Sequence, residues 1–143
     1  YCMLVNEVMN RNVVVVKKDA NLKQASEVMA KTRIGSLVVV EQNKIAGIIT
    51  SSDIIKSIAQ DKMPENTLIE EVMSKRVFTV EPDTTIEDAV DVMVNNKVRE
   101  LPVVQNNKIK GIITVTDIAV VEPKLIASIA QLLSMQFPGY RGG

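Results

Sequence analysis

The sequence contains no histidine, no tryptophan and a single cysteine, Cys2, and aromatic residues make up only 3% of its 143 positions. Histidine is the commonest general base and metal ligand in proteins, so its absence removes the usual basis for both roles. One cysteine cannot form an internal disulfide. No nucleophile–base pattern and no cluster of metal ligands is visible. We therefore predict no catalytic residue, no metal site and no enzyme activity.

An excess of charge of either sign is also lacking, since 17 basic residues balance 17 acidic ones. Duplex nucleic acids are bound through a basic stripe, and none is present. No basic amphipathic helix suits a membrane surface, and no apolar run approaches the roughly 18 residues that span a bilayer. No signal peptide is recognisable at the start of the chain. We expect a cytoplasmic protein without a nucleic-acid or membrane partner.

The chain is rich in Val, Ile, Leu and Met, and these residues recur in a duplication. Shifting the sequence by 64 residues without a gap makes 21 of the 48 positions from Glu7 to Ile54 identical. A unit of this size is marginal alone, because a small domain buries too little of its surface. We therefore predict that the two related halves form one pseudo-two-fold unit, with two equivalent clefts between them. The predicted boundaries are 5–60 for the first repeat, 61–67 for a linker, 68–121 for the second repeat, and 122–143 for a C-terminal helix and tail.

Each repeat is predicted to fold as β-α-β-β-α, which gives an α/β (α+β) protein with small stacked sheets flanked by helices. The β-branched runs at 13–16 and 77–80 predict the first strands. Helical spacing of apolar residues predicts helices at 22–29 and 86–93, with Asp19 and Asp83 as candidate N-caps. Asn-containing turns then join two strands in each repeat, and a last helix follows.

Short segments flank this repeated core. Residues 5–9 and 68–73 are expected to form short lead-in helices. After Pro123, an apolar stripe to about Met135 predicts a further helix, which either packs, dimerises or binds a partner protein. Residues 136–143 are expected to be a frayed tail.

The motif Gly-Ile-Ile-Thr-x-x-Asp occurs at 47–53 and again at 111–117, where a strand runs into a helix. A helix N-terminus offers unpaired N–H groups that suit phosphate, and Thr50 or Thr114 adds a hydroxyl. Asp53 or Asp117 lies one turn further on, and a carboxylate can accept both hydroxyls of a ribose. The pattern is equally that of a capping box that only starts the helix. Both roles can coexist.

These features together resemble the CBS (cystathionine-β-synthase type) domain, and the pair resembles a Bateman module. The resemblance rests on Val-Met before each first strand, on the first helices, on the Leu-Pro-Val-Val run at 101–104 and on both motifs. It covers about residues 5–121. It implies two ligand clefts for AMP, ADP, ATP or S-adenosylmethionine relatives, bound as ligands and not as cofactors, and a homodimer.

The resemblance also implies a role for each matching residue. Thr50 and Thr114 would contact phosphate or ribose, Asp53 and Asp117 would hold the ribose, and Ile48 and Ile112 would line the base pocket. The first strand of the opposite repeat would close each cleft. The residues at this wall would be Val77, Phe78 and Thr79 for the Asp53 cleft, and Val13, Val14 and Val15 for the Asp117 cleft. The turn before the second strand would contribute Ser36 in one repeat and Arg99 in the other.

The two repeats differ where phosphate would bind. Lys56 follows the first motif, whereas no cation follows the second so closely. The Asp53 cleft is therefore better equipped for phosphate, and the two clefts are expected to be unequal. The function indicated is a sensor whose adenosine ligand shifts the arrangement of the pair or its dimer. The alternative is a module without a ligand that dimerises and presents its last helix to a partner protein.

Overall fold

A computed structural model of the protein describes residues 2–125 together with Ala127 and Ala130. The chain divides into two compact units. The central unit comprises residues 13–77, and the flanking unit comprises the described residues up to Asn12 and from Phe78 onward. The units therefore do not coincide with the sequence repeats. The lead-in segment before each repeat belongs to the unit that contains the other repeat.

The central unit contains a three-stranded sheet and two helices. Its strands are β1 (Val15–Lys17), β2 (Ser36–Glu41) and β3 (Lys44–Thr50), and its helices are α1 (Leu22–Thr32) and α2 (Ser51–Ala59). The sheet order is β1-β2-β3, with β1 parallel and β3 antiparallel to β2. Leu37, Val38 and Val39 are buried in succession along β2, which confirms that this strand is covered on both faces.

The flanking unit repeats this pattern with one strand fewer. It contains α3 (Ile86–Asn96), the antiparallel strands β4 (Glu100–Gln105) and β5 (Lys108–Thr114), and α4 (Val115–Val121). The predicted strand at 77–80 is wrong in this unit, because only Val80 pairs with the sheet, through a parallel bridge to Val103.

A proline accounts for the missing strand. In the central unit the N–H of Val38 donates to the carbonyl of Val14 at 3.3 Å and so attaches β1 to β2. The equivalent residue in β4 is Pro102, which has no N–H to donate. The bonds that remain run through Val80, whose N–H donates to the Pro102 carbonyl at 3.1 Å and whose carbonyl accepts from Val104 at 2.9 Å. A single Val-to-Pro difference thus shortens the pairing to one bridge.

The first helix of each repeat begins later than the sequence suggested. Asp19 and Asp83 are not the N-caps: Asn21 caps α1 by accepting from the N–H of Gln24, and Thr85 caps α3 by accepting from the N–H of Asp88. The capping oxygen must lie next to the first helical residue, and both aspartates stand two positions too early.

The other local predictions agree more closely with the structure. Both hairpin turns have positive φ at their two central residues, which are Gln42, Asn43, Asn106 and Asn107. The lead-in helices are single 3-10 turns, Val5–Glu7 and Ile69–Glu71. A further 3-10 turn at Pro123–Leu125 starts at the predicted proline. The rest of the apolar stripe to Met135 and the tail lie outside the described residues, apart from Ala127 and Ala130.

Each unit has its own hydrophobic core, and each core includes the lead-in segment that belongs to the same unit. In the flanking unit Val5 and Met9 are buried among the residues of α3, β4, β5 and α4. In the central unit Ile69 is buried among those of α1, β2, β3 and α2. Burial of such side chains is the main stabilising contribution to a fold of this size. The predicted mixed α/β class, with small sheets flanked by helices, is confirmed.

Candidate functional site

The first motif forms a sharp corner where β3 ends and α2 begins. Thr50 is the N-cap, and its hydroxyl oxygen accepts from the N–H of Asp53 at 3.2 Å. In return the Oδ2 atom of Asp53 accepts from the N–H of Thr50 at 2.9 Å. Both side chains are half-buried. The capping interpretation of the motif is confirmed here, and it fixes the carboxylate in position through only one of its two oxygens.

The second motif has the same geometry between β5 and α4. The Thr114 hydroxyl oxygen accepts from the N–H of Asp117, and Asp117 Oδ2 accepts from the N–H of Thr114, both at 3.1 Å. The side chains of Thr114 and Asp117 are again half-buried. Each unit therefore presents one carboxylate in the first turn of a helix, with an oxygen that the cap does not use.

The turn residues expected at the site lie beside these corners. Ser36 is the register partner of Thr50 across the β2–β3 pair, and the preceding Gly35 carbonyl accepts from the N–H of Ser51 at 2.9 Å. In the flanking unit the Arg99 carbonyl accepts from the N–H of Val115 at 2.9 Å. The structure thus brings Ser36 to the Asp53 corner and Arg99 to the Asp117 corner.

In each unit, the strand that carries the motif pairs with a short segment, at Ser74 or at Asn10, that the sequence did not predict to lie there. Ser74 exchanges two backbone hydrogen bonds with Ile48, at 2.9 and 3.0 Å, and Asn10 exchanges two with Ile112, at 2.8 and 2.9 Å. The sequence signal was the repeated Glu-Val-Met, which directly precedes Asn10 and Ser74. The backbone polar groups of Ile48 and Ile112 are therefore occupied, while their side chains remain half-buried.

The motif glycines make this crossing sterically possible. A Cβ atom on Gly47 would lie 2.5 Å from the Ser74 carbonyl oxygen and 2.8 Å from the Met73 sulfur. On Gly111 it would lie 2.8 Å from the Asn10 carbonyl oxygen and 2.7 Å from the Met9 sulfur. No side chain fits at these distances. The first residue of the motif is therefore a packing residue, and the motif does not resemble a phosphate-binding glycine loop.

The remaining predicted site residues are divided between the two units. Val13, Val14, Val15 and Val77 belong to the central unit, with Asp53, whereas Phe78 and Thr79 belong to the flanking unit, with Asp117. Val15 and Thr79 are exposed, and the others are half-buried. That residues of one repeat close the cleft of the other remains a prediction.

A groove of about 220 Å³ on the central unit begins at the Asp53 corner. Residues of α2, its C-cap Gln60 and the nearby Lys62 line one part of this groove, and Glu71 and Val72 of the lead-in segment line the other. The full set is Asp53, Lys56, Ser57, Gln60, Lys62, Glu71 and Val72. Glu71 is held in place because its Oε2 atom accepts from the N–H of Leu68 at 2.6 Å.

A larger groove of about 430 Å³ lies at the turn between β2 and β3 and contains no motif residue. Lys18 there forms ion pairs with Glu41 at 3.0 Å and Glu70 at 3.6 Å. The hydrogen bond to Glu41, opposed by partial desolvation, raises the pKa of Lys18 above its ordinary value. Because it contains no motif residue and its Lys18 is already paired, this groove is a weaker candidate for a ligand.

The described residues contain no group of three or more His, Cys, Asp or Glu side chains that could hold a metal ion. Within the same part of the chain, every helix is too short or too polar to traverse a bilayer.

Comparison with known proteins agrees with the family that the sequence resembles. A family model described as the CBS domain matches residues 5–60 and again residues 69–123. An uncharacterized protein of Methanopyrus kandleri is 38% identical over 130 residues, which are 89% of this chain and 66% of that protein. The chain thus spans just under two thirds of that relative's length.

Two solved structures share the fold. A conserved CBS domain protein of unknown function from Thermoplasma acidophilum superimposes with a TM-score of 0.84 at 28% identity, covering 96% of this chain and 78% of that one. The CBS domain pair of protein MJ0100, in complex with 5′-methylthioadenosine and S-adenosyl-L-methionine, superimposes with a TM-score of 0.79 at 28% identity. That match covers 87% of this chain and 98% of the other.

Proposed function

Because the chain belongs to the CBS domain family, with one copy in each repeat, we propose that it is a regulatory module that binds an adenosine-containing ligand. The observation that carries this proposal is the pair of equivalent corners at Asp53 and Asp117. Each corner combines a helix N-terminus, a threonine hydroxyl and a half-buried carboxylate. Nothing in the capping role requires the carboxylate's second oxygen.

Ribose recognition is the role that best suits these carboxylates. A carboxylate only accepts hydrogen bonds, and the two adjacent hydroxyls of a ribose both donate. The cap fixes Asp53 and Asp117 through Oδ2. The other oxygen of each carboxylate can therefore accept hydrogen bonds from a ligand, and binding costs no further side-chain entropy. Pre-organisation of this kind favours affinity.

The adenine base needs an apolar slot with a few backbone partners. Ile48 and Ile112 supply apolar surface, but their backbone groups already bond to Ser74 and Asn10. A different backbone segment must therefore contact the edge of the base. Val77 is suitable, because it lies three residues beyond Ser74, which limits its distance to about 11 Å. Its own N–H and C=O have no hydrogen-bond partner within the described residues.

The complex of MJ0100 with two adenosine-containing molecules supports this ligand class. Regulation follows if the ligand binds one arrangement of the pair, or of its dimer, more tightly than another, since only a difference in affinity can shift a conformational equilibrium. We also propose that this module is not itself catalytic and that it acts on whatever it is joined to or assembles with.

Titration calorimetry of the purified chain with AMP, ATP, 5′-methylthioadenosine and S-adenosylmethionine tests the proposal. We expect saturable heat with at least one of them, at a stoichiometry of one or two per chain. The recovered ligand should be chemically unchanged when analysed by mass spectrometry. Absence of heat with all four at millimolar concentration would contradict the proposal, and hydrolysis of the ligand would contradict the non-catalytic role.

A second candidate, self-association, is favoured by exposed apolar side chains on the motif helices. Ile55 and Ile58 on α2 are 66% and 51% exposed, and Val120 and Val121 on α4 are 75% and 41% exposed. Apolar residues clustered on a helix surface are typical of an interface. We propose that the chain forms a homodimer through these helices, a role that is compatible with ligand binding and could also stand alone.

A further inference from the structure

The groove that begins at Asp53 carries charges of both signs that do not neutralise each other. Lys56 and Lys62 line it together with Asp53 and Glu71. Yet no ion pair within 4.0 Å joins Lys56 or Lys62 to Asp53 or Glu71, all of which are described residues. The two carboxylates are restrained by hydrogen bonds to the N–H groups of Thr50 and Leu68. The groove thus offers charges of both signs that no ion pair among them neutralises.

We propose, resting on the adenosine-binding function above, that this groove selects a ligand whose adenosine carries a zwitterionic α-amino acid group over one that carries phosphates. Asp53 holds the ribose, so an ammonium group suits Glu71, and a carboxylate suits Lys56 or Lys62. A phosphate chain would meet two lysines but also two carboxylates, and like charges at close range are repulsive. A groove with two positive and two negative side chains therefore suits an end group that carries one charge of each sign.

The size of the groove agrees with such a group. Its volume of about 220 Å³ is several times the roughly 30 Å³ that one water molecule occupies in the liquid. S-adenosylhomocysteine has six more non-hydrogen atoms than 5′-methylthioadenosine, and these atoms form the amino-acid end. The groove therefore has room for that end.

The second repeat lacks this arrangement, and so the selectivity belongs to the Asp53 site alone. Val120 and Val121 stand where the first repeat has Lys56 and Ser57. The Asp117 corner therefore has no lysine at this position. It serves as an internal comparison for the Asp53 corner, because the backbone scaffold at the two corners is the same.

The test compares S-adenosylhomocysteine with 5′-methylthioadenosine, two thioethers that differ only in the amino acid group. Calorimetry in the Asp117→Asn variant isolates the Asp53 site. We expect S-adenosylhomocysteine to bind on the order of tenfold more tightly, as two exposed ion pairs would give. Lys56→Val should reduce this ratio about threefold, the loss of one of the two pairs. The matched control Lys44→Val, on the exposed hairpin, should leave the ratio unchanged.

The outcomes separate this inference from the function on which it rests. Equal affinity for the two thioethers, or tighter binding of ATP than of S-adenosylhomocysteine, would overturn the zwitterion proposal while leaving adenosine binding intact. Equal effects of Lys56→Val and Lys44→Val would also overturn it. Failure of every adenosine compound to bind would instead contradict the proposed function.

Discussion

Ser74 and Ile48 exchange two backbone hydrogen bonds, so that the lead-in segment of one repeat is attached to the motif strand of the other. Asn10 and Ile112 form the same pair in the flanking unit. Packing therefore explains the glycine of the motif, which admits the crossing backbone, and the backbone of the isoleucine that follows, which bonds to it. The side chains of that isoleucine, the Thr and the Asp remain for a ligand.

Substitution of the motif glycines should destabilise the protein. Gly47→Ala and Gly111→Ala each place a Cβ atom within 2.8 Å of a carbonyl oxygen, and overpacking of this kind costs about 1–3 kcal/mol. Gly35→Ala is the matched control, because its Cβ would meet only Ser51 Oγ at 3.5 Å. Urea denaturation should show a lower midpoint for the first two variants. Equal midpoints for all three would contradict the packing explanation.

Asp53→Asn should separate the capping role from the ligand role. The amide oxygen can still accept from the Thr50 N–H, so we expect the free energy of unfolding to change by less than about 0.5 kcal/mol. The ligand loses a charge-assisted hydrogen bond, which corresponds to about a tenfold weaker affinity or more. Asp88→Asn is the control, because Asp88 holds the same position behind its cap Thr85 but is exposed and outside the motif. Unchanged ligand affinity in Asp53→Asn would refute the ribose assignment.

Val38→Pro should shorten the pairing of β1 with β2, as Pro102 shortens the equivalent pairing to one bridge in the flanking unit. It removes the N–H that donates to Val14, which costs about 1 kcal/mol beyond the loss of the side chain. Val38→Ala measures that side-chain loss separately. The β2–β3 pairing should survive, because Pro102 pairs with Ile112 in the equivalent place. If the two variants have the same free energy of unfolding, this bond does not stabilise β1.

Charged substitutions on the motif helices should dissociate the proposed dimer. Ile55→Glu combined with Val120→Glu places two carboxylates on surfaces that are 66% and 75% exposed in the single chain. Neither change disturbs a core residue, so folding should be retained in circular dichroism. Sedimentation velocity should show a dimer for the unaltered chain and for Lys44→Glu, and a monomer for the double variant. A monomeric unaltered chain would rule out the dimer.

Much of the local structure followed from short-range patterns. The apolar runs placed β2, β3, β4 and β5, and the asparagine turns placed both hairpins, because strand burial and positive φ leave direct signatures in residue type. The motif corner was also accessible, since Thr-x-x-Asp encodes its own cap. The N-caps at Asn21 and Thr85 were missed because Asp19 and Asp83 are equally good capping residues two positions earlier.

The sequence by itself determined the duplication, the α/β class and the two threonine–aspartate corners, since these depend on residues close together in the chain. Tertiary structure alone decided that each lead-in segment joins the core of the opposite repeat, that Pro102 leaves one strand as a bridge, and that Lys62 and Glu71 share a groove with Asp53. Those relationships depend on long-range burial and on which backbone N–H groups find partners, and neither is recorded in the order of residue types along the chain.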